Sequence, residues 1–90
     1  MAYARRVDAN QPEIVAALRR AGGTVTHIHT VGQGCPDLLV GFRGCNYLLE
    51  CKVVGGKLTE AEKDWHETWE GQRAIVHSAE EALAAIGAIG

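Results

Sequence analysis

The pattern of apolar and polar positions along the chain predicts short helices and strands in alternation. Apolar side chains recur at helical spacing between Ile14 and Ala21, and Gly22-Gly23 is expected to end this first helix. Asn10 suits the N-cap position, and Pro12 is tolerated in the first turn. The alternating, β-branched run over residues 24–29 then predicts a strand.

The middle of the chain has the pattern of a hairpin. Two apolar runs, Leu38–Phe42 and Tyr47–Leu49, flank Arg43-Gly44, which predicts two strands joined by a tight reversal. Val53-Val54 is expected to finish the second of these strands. The glycine-containing stretch before the hairpin, residues 31–35, is predicted to be a flexible loop.

A second helix is predicted after the hairpin. Thr59 and Glu62 have the spacing of a capping box, and Gly71 is expected to close the helix at its C′ position. Trp65 and Trp69 lie on one face of this helix at i, i+4 spacing. Core packing is the first interpretation of this pair, and a subunit contact is the alternative.

The C-terminal part predicts one more strand and one more helix. Residues 73–77 form the strand, and Ser78 with Glu81 repeats the capping-box spacing at the start of the last helix. Residues 1–9 are predicted to be a flexible arm, and residues 87–90 are expected to fray. The order of elements is therefore αβββαβα, an α/β protein with a small sheet flanked by helices.

The size of the chain limits it to one domain, residues 1–90. A chain of this length buries only about 60–65% of its unfolded surface, so oligomerisation would help to stabilise it. No apolar stretch approaches the ~20 residues that span a membrane, and the N-terminus lacks the apolar core of a signal peptide. The composition therefore predicts a cytoplasmic protein.

Charged residues cluster around the predicted hairpin. Asp37 precedes its first strand, while Glu50 and Lys52 lie near the end of its second strand. Alternation places Glu50 and Lys52 on one face, roughly 7 Å apart, with Cys51 on the other face. The hairpin returns Asp37 to the neighbourhood of Glu50. Burying two carboxylates there is costly without a partner such as a divalent cation. The alternative is an exposed Glu50–Lys52 salt bridge.

These residues carry a resemblance to a known family. Pro36-Asp37 followed by Glu50-x-Lys52 resembles the signature of the PD-(D/E)xK nuclease superfamily. The short spacing and the later Gly56-Lys57-Leu58-Thr59 are similar to its VRR-Nuc branch of small virus-type replication and repair nucleases. The likeness extends from about Asp8 to Leu83. It implies a restriction-endonuclease-like αβββαβα core.

The resemblance also implies an activity and a set of site residues. A metal-dependent DNA endonuclease would hold Mg²⁺ or Mn²⁺ with Asp37, Glu50 and the backbone carbonyl of Cys51. Lys52 would position or deprotonate the attacking water. Glu13 would join the active site, touching the metal through water. Small stand-alone members resemble phage-encoded proteins and are associated with branched DNA such as four-way junctions, which implies a prokaryotic or phage-infected host cell.

Two glutamates have a purely structural interpretation as well. Glu13 falls at N3 of the first helix, where a glutamate commonly reaches back to the cap, so it is either a cap or a member of the site. Relatives often have glutamine near Glu62, and this departure favours the capping role for that residue. A zinc site that uses Cys35, Cys51 and the His27-x-His29 pair is a further alternative, although it lacks paired ligand spacing.

Charge separates the possible functions. The formal net charge is −2, which argues against a protein that simply coats DNA. Without Glu13, Asp37 and Glu50, eight acids stand against nine bases, so a metal nuclease is compatible with the composition. A catalytically silent nucleic-acid- or protein-binding module on the same fold is the alternative.

A homodimer is expected, because two identical sites suit paired cuts in a symmetric junction.

Overall fold

A computed structural model describes residues 8–89, so most of the predicted N-terminal arm, and Gly90, lie outside the described residues. The predicted order of elements is confirmed within this range. The elements are α1 Gln11–Arg20, β1 Thr24–His27, a 3-10 turn His29–Val31, β2 Leu38–Phe42, β3 Cys45–Cys51, α2 Glu60–Thr68, β4 Arg73–Val76 and α3 Ala79–Ala85.

The strands form one mixed sheet in the order β1-β2-β3-β4. β1, β2 and β3 are antiparallel neighbours, whereas β4 runs parallel to β3. The hairpin register pairs Leu38 with Leu49 and Phe42 with Cys45. Arg43 and Gly44 connect these strands with φ angles of 51° and 82°. Two consecutive left-handed residues match the twist of a hairpin, which confirms the tight reversal.

The core lies between one face of the sheet and the helices α1 and α3. Alternate residues along each strand point to this face, which is why Leu49 and Cys51 are buried on the side away from Glu50. The buried apolar cluster comprises Ile14, Val15, Leu18, Leu38, Val40, Phe42, Leu49, Cys51, Val76, Ala82 and Ile86.

Helix α2 lies on the opposite face, and its tryptophans do not enter the core. Arg73 fixes the helix to this face by donating from Nε to the carbonyl of His66 over 3.0 Å. Trp65 is half-buried and Trp69 is 42% exposed. Their rings stack on each other at a centroid distance of 4.7 Å. The core interpretation of this pair is wrong, because the periodicity describes a helix face without showing what covers it.

Four element boundaries also differ from the prediction. β1 ends at His27, because residues 29–31 form a 3-10 turn, and β4 ends at Val76. β3 ends at Cys51, and the two valines expected to finish it are exposed, Val54 to 87%. α2 ends at Thr68 because Trp69 is already extended, with φ −70° and ψ 126°. Gly71 therefore does not occupy the C′ position.

The helix caps follow the sequence in part. Thr59 and Glu62 form the complete capping box at the start of α2. At α3, Ser78 Oγ accepts from the Glu81 N–H over 3.1 Å, but the Glu81 carboxylate accepts from His77 N–H over 2.8 Å, so the second box is not reciprocal. None of the helices within residues 8–89 has the length and apolar character needed to cross a membrane.

Candidate active site

A polar cleft of about 390 Å³ opens at one end of the sheet. It lies where the loop before β2, the end of β3 and the start of α2 meet. Its charged lining residues are Asp8, Asp37, Glu50, Lys52 and Glu62. The structure therefore brings together Asp37, Glu50 and Lys52, which the sequence predicted to converge.

Asp37 is fixed by its backbone and by its side chain. Its N–H donates to the carbonyl of Leu49 over 3.1 Å, and its carbonyl accepts from Ile28 N–H over 2.8 Å. The side-chain Oδ2 accepts from the Cys51 N–H over 2.8 Å. These bonds hold the carboxylate at the end of β3, beside Glu50.

Glu50 is a buried acid with an unpartnered oxygen. The residue is 2% exposed, and its Oε1 atom is buried without a hydrogen-bond partner. Burial first, and then the negative charges of Asp37 and Glu62, raise the pKa of Glu50 to about 8, against the lowering effect of Lys52. A buried polar atom without a hydrogen-bond partner is rare in folded proteins, and such atoms are found where water or an ion binds or where a side chain has a catalytic role.

Lys52 lies between two acids. Its Nζ atom is 3.0 Å from Glu62 Oε1 and 3.5 Å from Glu50 Oε2. Burial lowers the pKa of Lys52, but the bond to Glu62 and the charges of Glu50, Glu62 and Asp8 outweigh it, so the pKa is raised overall. The Glu50–Lys52 contact exists, but Glu50 is buried and its pKa is raised, so the contact differs from the exposed salt bridge that was the alternative.

Glu62 takes part in the cleft as well as in the cap of α2. The oxygen that contacts Lys52 also accepts from the Thr59 N–H over 2.9 Å. Burial raises the pKa of Glu62, but the Thr59 N–H and Lys52 lower it by more. The spacing of the capping box predicted that Glu62 caps α2. Its contact with Lys52 in the cleft depends on how α2 packs against β3.

Glu13 lies outside the cleft. It is exposed on α1 and is not among the residues that line the cleft. Asn10 occupies the N-cap position of α1 without a side-chain capping bond in the described part of the chain. Its amide donates instead to the carbonyls of Lys52, over 3.1 Å, and His77, over 2.9 Å.

Asp8 is a site residue that the sequence did not reveal. It lines the cleft, and its Oδ2 atom accepts from the Val53 N–H over 2.8 Å. No motif or periodicity marks this position, because its proximity to β3 depends on the path of the chain before α1.

The cysteines do not form the alternative zinc site. Burial, followed by the charges of Asp37 and Glu50, raises the pKa of Cys51 to about 12, and burial also raises the pKa of Cys35. The Cys51 side chain is 1% exposed and packs in the apolar core, away from the face that carries Glu50. Within residues 8–89 no group of three or more His, Cys, Asp and Glu side chains is placed to hold a metal ion. A cation in the cleft would thus depend on two carboxylates and on backbone oxygen.

No family model, curated protein or solved structure matches this chain. The chain is therefore described by its fold and by the residues of its cleft. It is a small mixed α/β protein with a four-stranded sheet and three helices over the described residues, and it carries an acidic cleft with one lysine.

Proposed function

We propose that this protein is a metal-dependent endonuclease that hydrolyses DNA phosphodiester bonds. The observation that carries the proposal is the buried carboxylate of Glu50 beside Asp37, with one Glu50 oxygen unpartnered. Two carboxylates with a lysine at the end of a β-hairpin also form the pattern that resembles the PD-(D/E)xK nucleases. The αβββαβα order supports the finer assignment to a restriction-endonuclease-like core of the VRR-Nuc type.

The donor set fits a hard divalent cation. Asp37 and Glu50 offer carboxylate oxygens, and the carbonyl of Cys51 offers a third oxygen, which are the ligands that Mg²⁺ and Mn²⁺ prefer. When bound, such an ion polarises a phosphate oxygen and lowers the pKa of a water molecule. A positive charge beside Glu50 would also ionise this carboxyl, which is protonated near neutral pH without a cation.

Lys52 acts as a cation in this mechanism. Because its pKa is raised, it is protonated at neutral pH and is a poor base. Its ammonium group stabilises the charge that grows on the phosphate and orients the attacking water by donating a hydrogen bond to it. Of the two roles that the resemblance implies for Lys52, positioning therefore has the better support.

Branched DNA and a homodimer belong to the same proposal. The face of the sheet that carries α2 exposes Leu39, Ile75 and Trp69 to 39%, 38% and 42%. Apolar side chains grouped on one face favour a contact with another protein surface. A two-fold dimer would present two clefts, which suits paired cuts in a four-way junction.

The proposal is tested by incubating the protein with labelled linear, flap and four-way junction DNA. Each substrate is combined with Mg²⁺, Mn²⁺ or EDTA, and Asp37→Asn is run beside the wild type. Cleavage is expected with either metal, fastest on the junction, and none is expected in EDTA or from the variant. Junction binding without cleavage under every condition would favour the silent binding module.

A further inference from the structure

Asp8 and Asn10, just before α1, bond to the backbone that follows the end of β3. Asp8 Oδ2 accepts from the Val53 N–H over 2.8 Å. Asn10 Nδ2 donates to the carbonyl of Lys52 over 3.1 Å and to that of His77 over 2.9 Å. Asp8 and Asn10, here called the clasp, thus bond both polar groups of the peptide unit that joins Lys52 to Val53.

This peptide unit lies at the margin of the sheet. β3 ends at Cys51, and the Lys52 N–H still donates to the Val76 carbonyl over 3.0 Å. Beyond that bond the chain leaves the sheet, and Val53 is 41% exposed. A strand end with few sheet partners opens at low free energy unless other groups hold it. The clasp supplies such groups on the C-terminal side of Lys52.

We propose that Asp8 and Asn10 are positioning residues that fix the backbone of Lys52 for the reaction. This inference rests on the proposed nuclease function. Asn10 also connects Lys52 to His77, so one side chain bonds the backbone just beyond the ends of the parallel strands β3 and β4. Because a displacement of about 1 Å in a catalytic group costs on the order of 100-fold in rate, a loose strand end would lower turnover without removing any reacting group.

The charge of Asp8 offers a competing explanation, since this acid also lines the cleft beside Lys52. Asp8→Asn separates the effect of the charge from the effect of the hydrogen bond to Val53. Its amide oxygen can still accept from the Val53 N–H, but the negative charge is gone. Asp8→Ala removes both the acceptor and the charge. Asn10→Ala removes the two donors and leaves the charge of the cleft unchanged.

The kinetic test compares Asp8→Asn, Asp8→Ala and Asn10→Ala with the wild type on junction DNA. Glu70→Ala is the control, because Glu70 is exposed and does not line the cleft. We expect kcat to fall about 10- to 100-fold in both alanine variants. KM and Mn²⁺ affinity by calorimetry should stay within about 2-fold of the wild type, and Asp8→Asn should recover most of kcat. Wild-type kcat in Asn10→Ala, or equal losses in Asp8→Asn and Asp8→Ala, would overturn the proposal.

Hydrogen exchange of the Val53 amide tests the clasp without any cleavage. Exchange should be slow in the wild type and in Asp8→Asn, and about 10-fold or more faster in Asp8→Ala, whose folding is checked by the unchanged exchange of core amides. Fast exchange of Val53 in the wild type would overturn the clasp itself. If the wild type cleaves no DNA, the proposed function and the role in turnover fail together, while protection of Val53 would still establish the contact.

Discussion

Lys52 and Glu62 form an ion pair across the cleft, with 3.0 Å between Nζ and Oε1. The same Glu62 oxygen caps α2 by accepting from the Thr59 N–H. One carboxylate thus connects the start of a helix to the lysine of the proposed active site. A change of Glu62 is therefore expected to affect both the helix N-terminus and the cleft, unless the new side chain keeps one of the two contacts.

Glu62→Gln should separate the two roles of this residue. Glutamine still completes a capping box, so the melting temperature is expected to remain close to that of the wild type. The loss of a negative charge beside Lys52 should lower KM for DNA by about 3-fold or more, most strongly at low salt. Glu62→Ala is the matched control and should cost about 1 kcal/mol of stability through the lost cap. Equal melting of the two variants would contradict the capping role.

The raised pKa of Glu50 predicts how the metal-free protein responds to pH. Between the usual glutamate range and about pH 8, the folded protein keeps a proton that the unfolded chain has released. Stability in EDTA should therefore fall as pH rises from about 5 to 8, by up to about 1.4 kcal/mol per pH unit. Urea unfolding across this range measures the slope. Glu50→Gln should show a shallower fall, and identical slopes in both proteins would contradict the assignment.

Gly34 allows the loop before β2 to pack against the start of α2. Its φ is +81°, and an added Cβ would collide with the carbonyl of Ala61. Gly32 has a similar φ of +83° but open space around its Cβ position. Gly34→Ala should therefore lower the free energy of unfolding by about 1–3 kcal/mol more than Gly32→Ala. Both substitutions put a side chain at a positive φ, but only the one at Gly34 also adds a clash. Equal unfolding midpoints in urea would argue against this close approach.

The exposed apolar face predicts a two-fold homodimer. Light scattering after size exclusion should give about twice the chain mass of 9.7 kDa at micromolar concentration. Trp69→Lys places a charge within this face and should shift the mass toward the monomer. Val54→Lys is the control, because Val54 is exposed in the loop after β3. A wild-type mass near 9.7 kDa would rule out the paired-cut mechanism.

Local patterns predicted the hairpin and the convergence of three site residues. Arg43-Gly44 specifies a tight turn, and the register that this turn imposes brings Asp37 back to the end of β3. Alternation along β3 then places Glu50 and Lys52 on one face. These relationships span few residues, and the backbone geometry of a strand determines them.

The remaining features depend on how separate elements pack. Asp8 reaches the cleft because it bonds to Val53, just after β3, and Glu62 reaches Lys52 because the start of α2 lies beside the end of β3. The exposure of Trp69 also depends on packing, because helical spacing shows which residues share a face but not what packs against that face. Glu13 occupies the predicted N3 position of α1, yet it is exposed and does not line the cleft.

We propose that Asp37 and Glu50 hold the metal that cleavage requires. The most direct measurement is the rate at which the wild type and Glu50→Gln cleave a labelled four-way junction in Mn²⁺, with Glu70→Gln as the control. We expect cleavage by the wild type and the control, and a loss of at least about 100-fold in Glu50→Gln with the fold retained. Cleavage by Glu50→Gln at the wild-type rate, or wild-type cleavage that persists in EDTA, would contradict it.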